Sequence, residues 1–485
     1  MGISKRTKWS YCIGATGRDA AYVLVSMFIL TYIQYTVKLT VAQFSVISAA
    51  MVVCMVWDAV NDLLMSTIIE NSHLKGGKYR PFIIAGALIN AIVIILMFSI
   101  RPSGWGFVGF FCVIYLLWGM TYTVNDIAYW GMLPSLSSDP KERDGIVSLM
   151  GIFVCIGQFS VAGVVPIVIA GNAAFAFRVT ALVVALLFIA FQTLTYLGVT
   201  ENKRVDQKPV TMRGMFSILK RNDQLITVGA AYILFCVGQQ LLLLLAVNFF
   251  YFEFGYSKSG DLITIFTVMY GLGTLAAQFA YPALAARFKR KGLIKICIGV
   301  IIAGYLAVLG FGYVLPQNVI LLDAVGFLIF FAQGLYNLAV IVMVNNTIEY
   351  DEYRFGERHD SIISAIRSFA SKLSNALNQG AASLILIISG IYVVSQNISA
   401  LEVEVGNGTI GSEEALTRAD VFTAGVEASQ RFMLRLGMVA VPLLAMIGAY
   451  IILARRYKLD EAEYDRIVAE ISERKLKEKH DYLDL

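Results

Sequence analysis

The sequence predicts an all-α membrane protein, with twelve transmembrane helices in two six-helix bundles. Three observations predict it. The 485 residues are 58% hydrophobic with a mean hydropathy of +0.70, and only 15% are Asp, Glu, Lys or Arg, where soluble domains carry about 25%. Apolar windows of about 20 residues or more, the length that crosses a bilayer, recur with short polar breaks. Basic residues crowd into alternate connections. Apolar runs this long and this weakly patterned do not resemble barrel strands, so helices are left to satisfy the backbone in lipid.

The first six spans fall at about 11–36, 44–70, 81–101, 106–134, 146–170 and 174–199. A polar stretch follows, and six more spans run at about 224–253, 261–286, 293–314, 319–346, 361–393 and 430–454. The expected organisation is an N-terminal bundle over 1–200, a cytoplasmic central loop over 201–223, a C-terminal bundle over 224–455 and a cytoplasmic amphipathic tail over 456–485. With the N-terminus in the cytoplasm, the inside segments hold 28 lysines and arginines and the outside connections hold 5. That asymmetry sets the orientation, with both termini cytoplasmic in a cell membrane. The basic loops Lys75-Gly76-Gly77-Lys78-Tyr79-Arg80 and Arg287-Phe288-Lys289-Arg290-Lys291 occupy matching places in the two halves. Two matched halves with a site between them is a transporter plan.

Two pieces lie outside the spans. Residues 394–429 read as a polar, mobile outside loop around Gly406-Asn407-Gly408. The tail reads as an amphipathic helix capped by Asp460, with Glu463 three residues on and Tyr464, Ile467, Val468 and Ile471 as its apolar stripe. No leader with a cleavage site is expected at the N-terminus, because the apolar stretch after Lys8 is too long and contains Arg18 and Asp19.

Other chemistries find little support. The six cysteines stand alone in or beside apolar runs, without metal-ligand spacing. His73, His359 and His480 all lie outside the spans, and neither His-Glu-x-x-His nor Gly-x-Ser-x-Gly occurs. Gly76-Gly77-Lys78 lacks the phosphate-loop spacing and the Ser or Thr that follows it. No cofactor and no nucleic-acid partner is expected; the partners are the lipid bilayer and a small solute, and the chain is expected to work as a monomer.

The informative residues are ionisable groups inside the spans, each costing about 2.5–3.5 kcal/mol at mid-helix on insertion scales. They are Arg18 and Asp19 on the first helix, Asp58 and Asp62 on the second, Asp126 on the fourth and Lys372 on the eleventh. At 1.5 Å per residue, each lies within roughly 15 Å of the middle of its span, so they can share one midplane cavity. Asp58, Asn61 and Asp62 fall on one helix face, as do Tyr122, Thr123, Asp126 and Trp130 on the fourth helix. Ser364, Ser368, Lys372, Asn375 and Gln379 draw a polar stripe on the eleventh. Two cations face four carboxylates, and hard oxygens with that deficit suit Na⁺ or a proton. Trp130 has two readings, an aromatic-belt residue or a flat face that stacks on a sugar ring. Glu253, amid aromatic residues, reads as an interface residue.

In order and at matching spacing, these stretches resemble the glycoside–pentoside–hexuronide:cation symporter family, the melibiose permease type, of the major facilitator superfamily. The resemblance is carried by Tyr11-Cys12-Ile13-Gly14-Ala15-Thr16-Gly17-Arg18-Asp19, Trp57-Asp58-Ala59-Val60-Asn61-Asp62, Gly77-Lys78-Tyr79-Arg80-Pro81-Phe82, Tyr122-Thr123-Val124-Asn125-Asp126-Ile127-Ala128-Tyr129-Trp130, Ile348-Glu349-Tyr350-Asp351-Glu352-Tyr353 and Lys372. It implies the major facilitator fold and cation-coupled sugar or glycoside symport. Asp19, Asp126 and Trp130 match sugar-contacting positions, with Arg18 and Tyr122 beside them. Asp58, Asn61, Asp62 and Thr123 match the cation site, and Lys372 a lysine near both. Gly151 and Asn337 stand where the family has an arginine and a tryptophan, so a melibiose-like substrate does not carry over.

The reading that follows is a secondary active symporter of a sugar or glycoside, coupled to Na⁺ or H⁺, working by alternating access. The rival within transport is a lysolipid or other amphiphile on the same fold. The rival outside it is a membrane-embedded enzyme or sensor.

Overall fold

The computed structural model describes residues 3–72, 74, 76–137, 140–201, 212–356 and 360–483. His73, Lys75, Arg358, His359 and most of the central polar stretch lie outside the described residues. The helices in chain order are α1 (Lys5–Thr36), α2 (Val41–Glu70), α3 (Arg80–Ser99), α4 (Trp105–Leu136), α5 (Pro140–Val168), α6 (Ala173–Gly198), α7 (Met212–Arg221) and α8 (Asp223–Phe254). They continue as α9 (Ser259–Gly310), α10 (Val319–Phe355), α11 (Asp360–Ile388), α12 (Ile391–Gly406), α13 (Ser412–Ala424), α14 (Ala428–Arg456) and α15 (Glu461–Leu483).

Ten of these helices are long and apolar enough to cross a membrane, and α11 taken with α12 makes an eleventh. Helix α9 has 52 residues and breaks at Lys289, whose φ of 55° is not helical. Its two segments count as separate spans and bring the number to twelve, as the hydropathy predicts. Helix α11 has 29 residues, about 43 Å at 1.5 Å each, which is long enough to cross by itself. Helix α12 turns away from it by 90°, and most of it falls in the stretch that hydropathy leaves outside the spans.

Here the structure departs from the expected mobile loop, because 394–429 is mostly helical. Helix α12 buries Ile391, Tyr392, Ser395, Ile398 and Glu402 along one face, and Ala415 and Ala419 do the same for α13. The polar composition hides an apolar stripe of helical period. Asn407 closes α12 and Gly408, at φ +73°, makes the turn that a side chain would strain.

The chain forms two compact units. The first comprises the described residues of Met1–Pro209, Leu243–Val268 and Ala376–Met438. Helix α1 is its centre, packed on α5, α6 and α12. Two glycines permit that approach: a methyl group at Gly157 would overlap the Thr16 carbonyl, and one at Gly14 would overlap the Thr195 hydroxyl. Polar groups stitch α1, α3, α4 and α6 together. Asn125 Nδ2 donates to Ile83 O at 2.7 Å and to Gln192 Oε1 at 3.2 Å, and Gln192 Nε2 donates to Gly14 O at 2.8 Å.

The second unit comprises the described residues of Val210–Leu242, Met269–Asn375 and Val439–Leu485. Its core includes Tyr305, whose hydroxyl donates to Gly238 O at 3.0 Å, and the stacked rings of Phe235 and Tyr336. Ion pairs join Arg221 to Asp351 at 3.1 Å and Arg354 to Asp223 at 2.9 Å. The tail helix α15 packs here. Asp460 accepts from the Glu463 backbone N–H at 3.1 Å, as the capping pattern predicts. Ile467 and Ile471 are buried, while Val468 stays exposed. Arg290 binds Glu461 at 2.9 Å.

Candidate functional site

The first unit assembles two polar clusters on α4, one turn apart. In the first, Arg18 of α1 is buried to 3% exposure, and a buried cation needs counter-charge. Its Nη2 and Nε reach Asp19 Oδ2 at 2.7 and 3.1 Å. Its Nη1 lies 3.4 Å from Asp126 Oδ1 and makes no hydrogen bond among the described residues. The guanidinium stands over the rings of Tyr129 and Trp130, 4.7 and 5.3 Å from their centroids. A carboxylate pair, a cation and the half-exposed indole of Trp130 therefore meet at one place. Tyr122 lies one turn before Asp126, with its ring 5.3 Å from that of Tyr22.

In the second cluster, Thr123 Oγ1 lies 2.8 Å from Asp58 Oδ1 and 3.2 Å from Asp62 Oδ1. A hydroxyl has one hydrogen and donates to one carboxylate at a time. Its lone pairs are left for a proton on the other carboxyl or for a cation. Asn61 is buried beside them, and its Nδ2 makes no hydrogen bond among the described residues. Two carboxylates, a hydroxyl and an amide are hard oxygen donors of the kind that hold Na⁺. Gly119 faces Asp58, so that even a methyl there would come within 3.5 Å of the carboxylate. A small cavity lined by Asp58, Tyr115, Trp118 and Gly119 opens beside it.

Sequence reasoning named these groups, but Lys372 sits on α11 within the second unit, and its part in the site stays an expectation. The Ser364 side chain lies outside the described residues. Gln379, further along the polar stripe of α11, is buried and donates to Ser26 O at 2.9 Å. Glu253 proves to be an interior ion-pair partner, 2.5 Å from the buried Arg435.

One site residue was missed. Gln158 of α5 donates from Nε2 to Asp19 Oδ1 at 3.1 Å, so Asp19 is held on both oxygens. The available signal was a lone amide in the middle of the apolar span 146–170.

A family model described as MFS/sugar transport protein matches residues 10–461. The chain is 25% identical over 484 residues to the raffinose carrier protein of Pediococcus pentosaceus, covering 95% of this chain and 70% of that one. It is 23% identical over 411 residues to a putative glycoside/cation symporter of Escherichia coli, covering 83% of this chain and 86% of that one. Among solved structures, a bacterial homolog of the human lysosomal transporter Spinster superposes with a TM-score of 0.68 at 13% identity, covering 94% of this chain and 98% of that one. At that identity the likeness shows the fold alone.

Proposed function

The chain belongs to the MFS/sugar transport protein family, and we propose that it is a symporter that carries a sugar or glycoside with a cation by alternating access. The family consists of transporters, not enzymes, and the chain is a multi-pass membrane protein of major facilitator fold. In our reading the cation, Na⁺ or H⁺, binds among Asp58, Asn61, Asp62 and Thr123. The sugar hydrogen-bonds to Asp19 and Asp126 and stacks on Trp130, with Arg18 and Tyr122 beside it. Lys372 supplies a counter-charge. The two six-helix halves, 1–200 and 224–455, rock around the site, and both termini and the central loop are cytoplasmic.

One observation carries this reading: Thr123 and Asp126 lie one turn apart on α4, the first on the Asp58–Asp62 pair and the second on Arg18. A cation entering the first pair needs the Thr123 oxygen as a ligand, which turns its hydrogen away from Asp58. That fixes the α4 turn on which Asp126 is presented. Each solute then stabilises the arrangement the other needs, and linkage makes the effect reciprocal. No bond is made or broken.

The test is sugar binding to the purified protein, followed by thermal shift across a panel that includes raffinose and lactose, with and without Na⁺ at fixed pH. A sugar whose stabilising effect grows with Na⁺ is the expected result. A sugar effect indifferent to Na⁺ but steep in pH would leave proton symport. No response to any sugar would remove the sugar assignment.

A further inference from the structure

Helix α12 presents a carboxyl group on its buried face. Glu402 is 1% exposed. Its Oε2 accepts from the Ala173 backbone N–H at 2.6 Å, its Oε1 accepts from the Tyr256 hydroxyl at 2.8 Å, and the Gly171 N–H binds it too. Ala173 opens α6 and Gly171 lies just before it, while the tyrosine comes from the connection between α8 and α9. One side chain thus joins three segments of the first unit that are remote in sequence. The neighbouring contacts run the same way. Gln34 Nε2 and Tyr35 Oη, at the end of α1, donate to Asn248 Oδ1 of α8 at 2.6 and 2.8 Å. The Leu39 N–H donates to Gln396 Oε1 of α12 at 2.8 Å.

Among the described residues, no lysine or arginine pairs with Glu402. The charged groups on the elements around it are engaged elsewhere. Glu253 of α8 pairs with Arg435 at 2.5 Å. Arg418 of α13 pairs with Glu414 at 2.5 Å and with Glu404 of α12 at 4.0 Å. Asp420 of α13 accepts from the Ser257 backbone N–H at 3.0 Å. Arg178 of α6 makes no ion pair with Glu402, and Glu413 of α13 is exposed. The phenols of Tyr32, Tyr35, Tyr251 and Tyr392 on the neighbouring elements are buried, and Lys258 and Asp261, close to Tyr256 in the chain, are exposed and make no ion pair with Glu402.

We propose that Glu402 is a proton-binding site, and that the proton it takes up favours the closed arrangement of α6, α8 and α12 at this end of the first unit. The proposal rests on the alternating-access reading, in which this end faces outward and must open to admit the substrate. A carboxylate enclosed without a cation loses its hydration, which favours the neutral form, while its three hydrogen bonds favour the charged one. Desolvation accordingly pushes the Glu402 carboxyl up to about 7, against the pull of Tyr256, Ala173 and Gly171. Opening returns it to water and to its ordinary value. Closure is therefore fully favoured below the ordinary carboxylate range, and the advantage is lost as pH rises through about 7. Across that interval the ratio of closed to open protein falls by up to about tenfold for each pH unit.

The experiment uses the full chain in a cysteine-free background, with spin labels at the exposed positions Phe175 and Lys258, and reads their distance distribution from about pH 5 to about pH 8.5. We expect a short distance at acid pH and a longer population that grows as pH rises. Glu402→Gln, neutral at every pH, should hold the short distance throughout. Tyr256→Phe removes a donor that favours the carboxylate and should move the midpoint to higher pH, which keeps the test intact if the first variant does not fold. A wild-type distribution unchanged across the range would overturn the proposal, as would an unaltered pH response in Glu402→Gln. No sugar enters this measurement. A protein that shows the Glu402-dependent response yet binds no sugar would refute the substrate reading and leave the proton site standing.

Discussion

Replacing Thr123 by valine tests the link between cation and sugar at its narrowest point. Valine keeps the branched shape and removes only the hydroxyl that lies 2.8 Å from Asp58 and 3.2 Å from Asp62. Thr123 is 1% exposed, so water cannot easily stand in for the lost oxygen. In the proposed bound state that oxygen is a cation ligand, and a polar contact to a charged group contributes about 1.5–3 kcal/mol. At about 1.4 kcal/mol per tenfold, the loss corresponds to roughly ten- to hundredfold in cation affinity. The assay is sugar titration by tryptophan fluorescence at stepped Na⁺ concentrations and fixed pH. The half-effective Na⁺ concentration should rise by that factor, while sugar affinity at zero Na⁺ stays within a few-fold of wild type. Thr123→Ser, which retains the oxygen, should stay close to wild type. A valine variant with an unchanged half-effective Na⁺ concentration would show that Thr123 is not a cation ligand.

Three further predictions follow from the same geometry. Gln158→Leu should weaken sugar binding about tenfold by freeing Asp19 Oδ1, while Gln158→Glu should make binding pH-dependent, because two carboxyls at that distance share a proton; a pH-independent Gln158→Glu variant would dissociate Gln158 from Asp19. Arg435→Met should cost about 3–5 kcal/mol by leaving Glu253 charged and buried, and adding Glu253→Gln should recover most of it; equal melting temperatures for the single and double variants would contradict the pairing. A cysteine introduced into α13 should react with an impermeant maleimide added to intact cells, and labelling only after permeabilisation would invert the proposed orientation.

The sequence by itself determined what depends on near neighbours in the chain. Hydropathy over about 20 residues placed the spans, and α1, α4 and α6 appear where those windows fall. Helical spacing put Asp58 and Asp62 on one face and Thr123 and Asp126 on another, because three and four residues make one turn. The tail cap at Asp460 is equally local, a side chain meeting a backbone group three residues on. The tertiary structure alone decided which faces meet. Gln158 reaches Asp19 across 139 residues, and Glu402 reaches Ala173 across 229 and Tyr256 across 146. Nothing in local periodicity records such a pairing. It follows from how closely helices approach where glycines such as Gly14 and Gly157 leave room. The outside segment shows the same division. Its composition said only that it is polar, whereas packing α12 against α1 and α6 turned seven residues into a buried face and enclosed a carboxyl that hydropathy alone would have left in water.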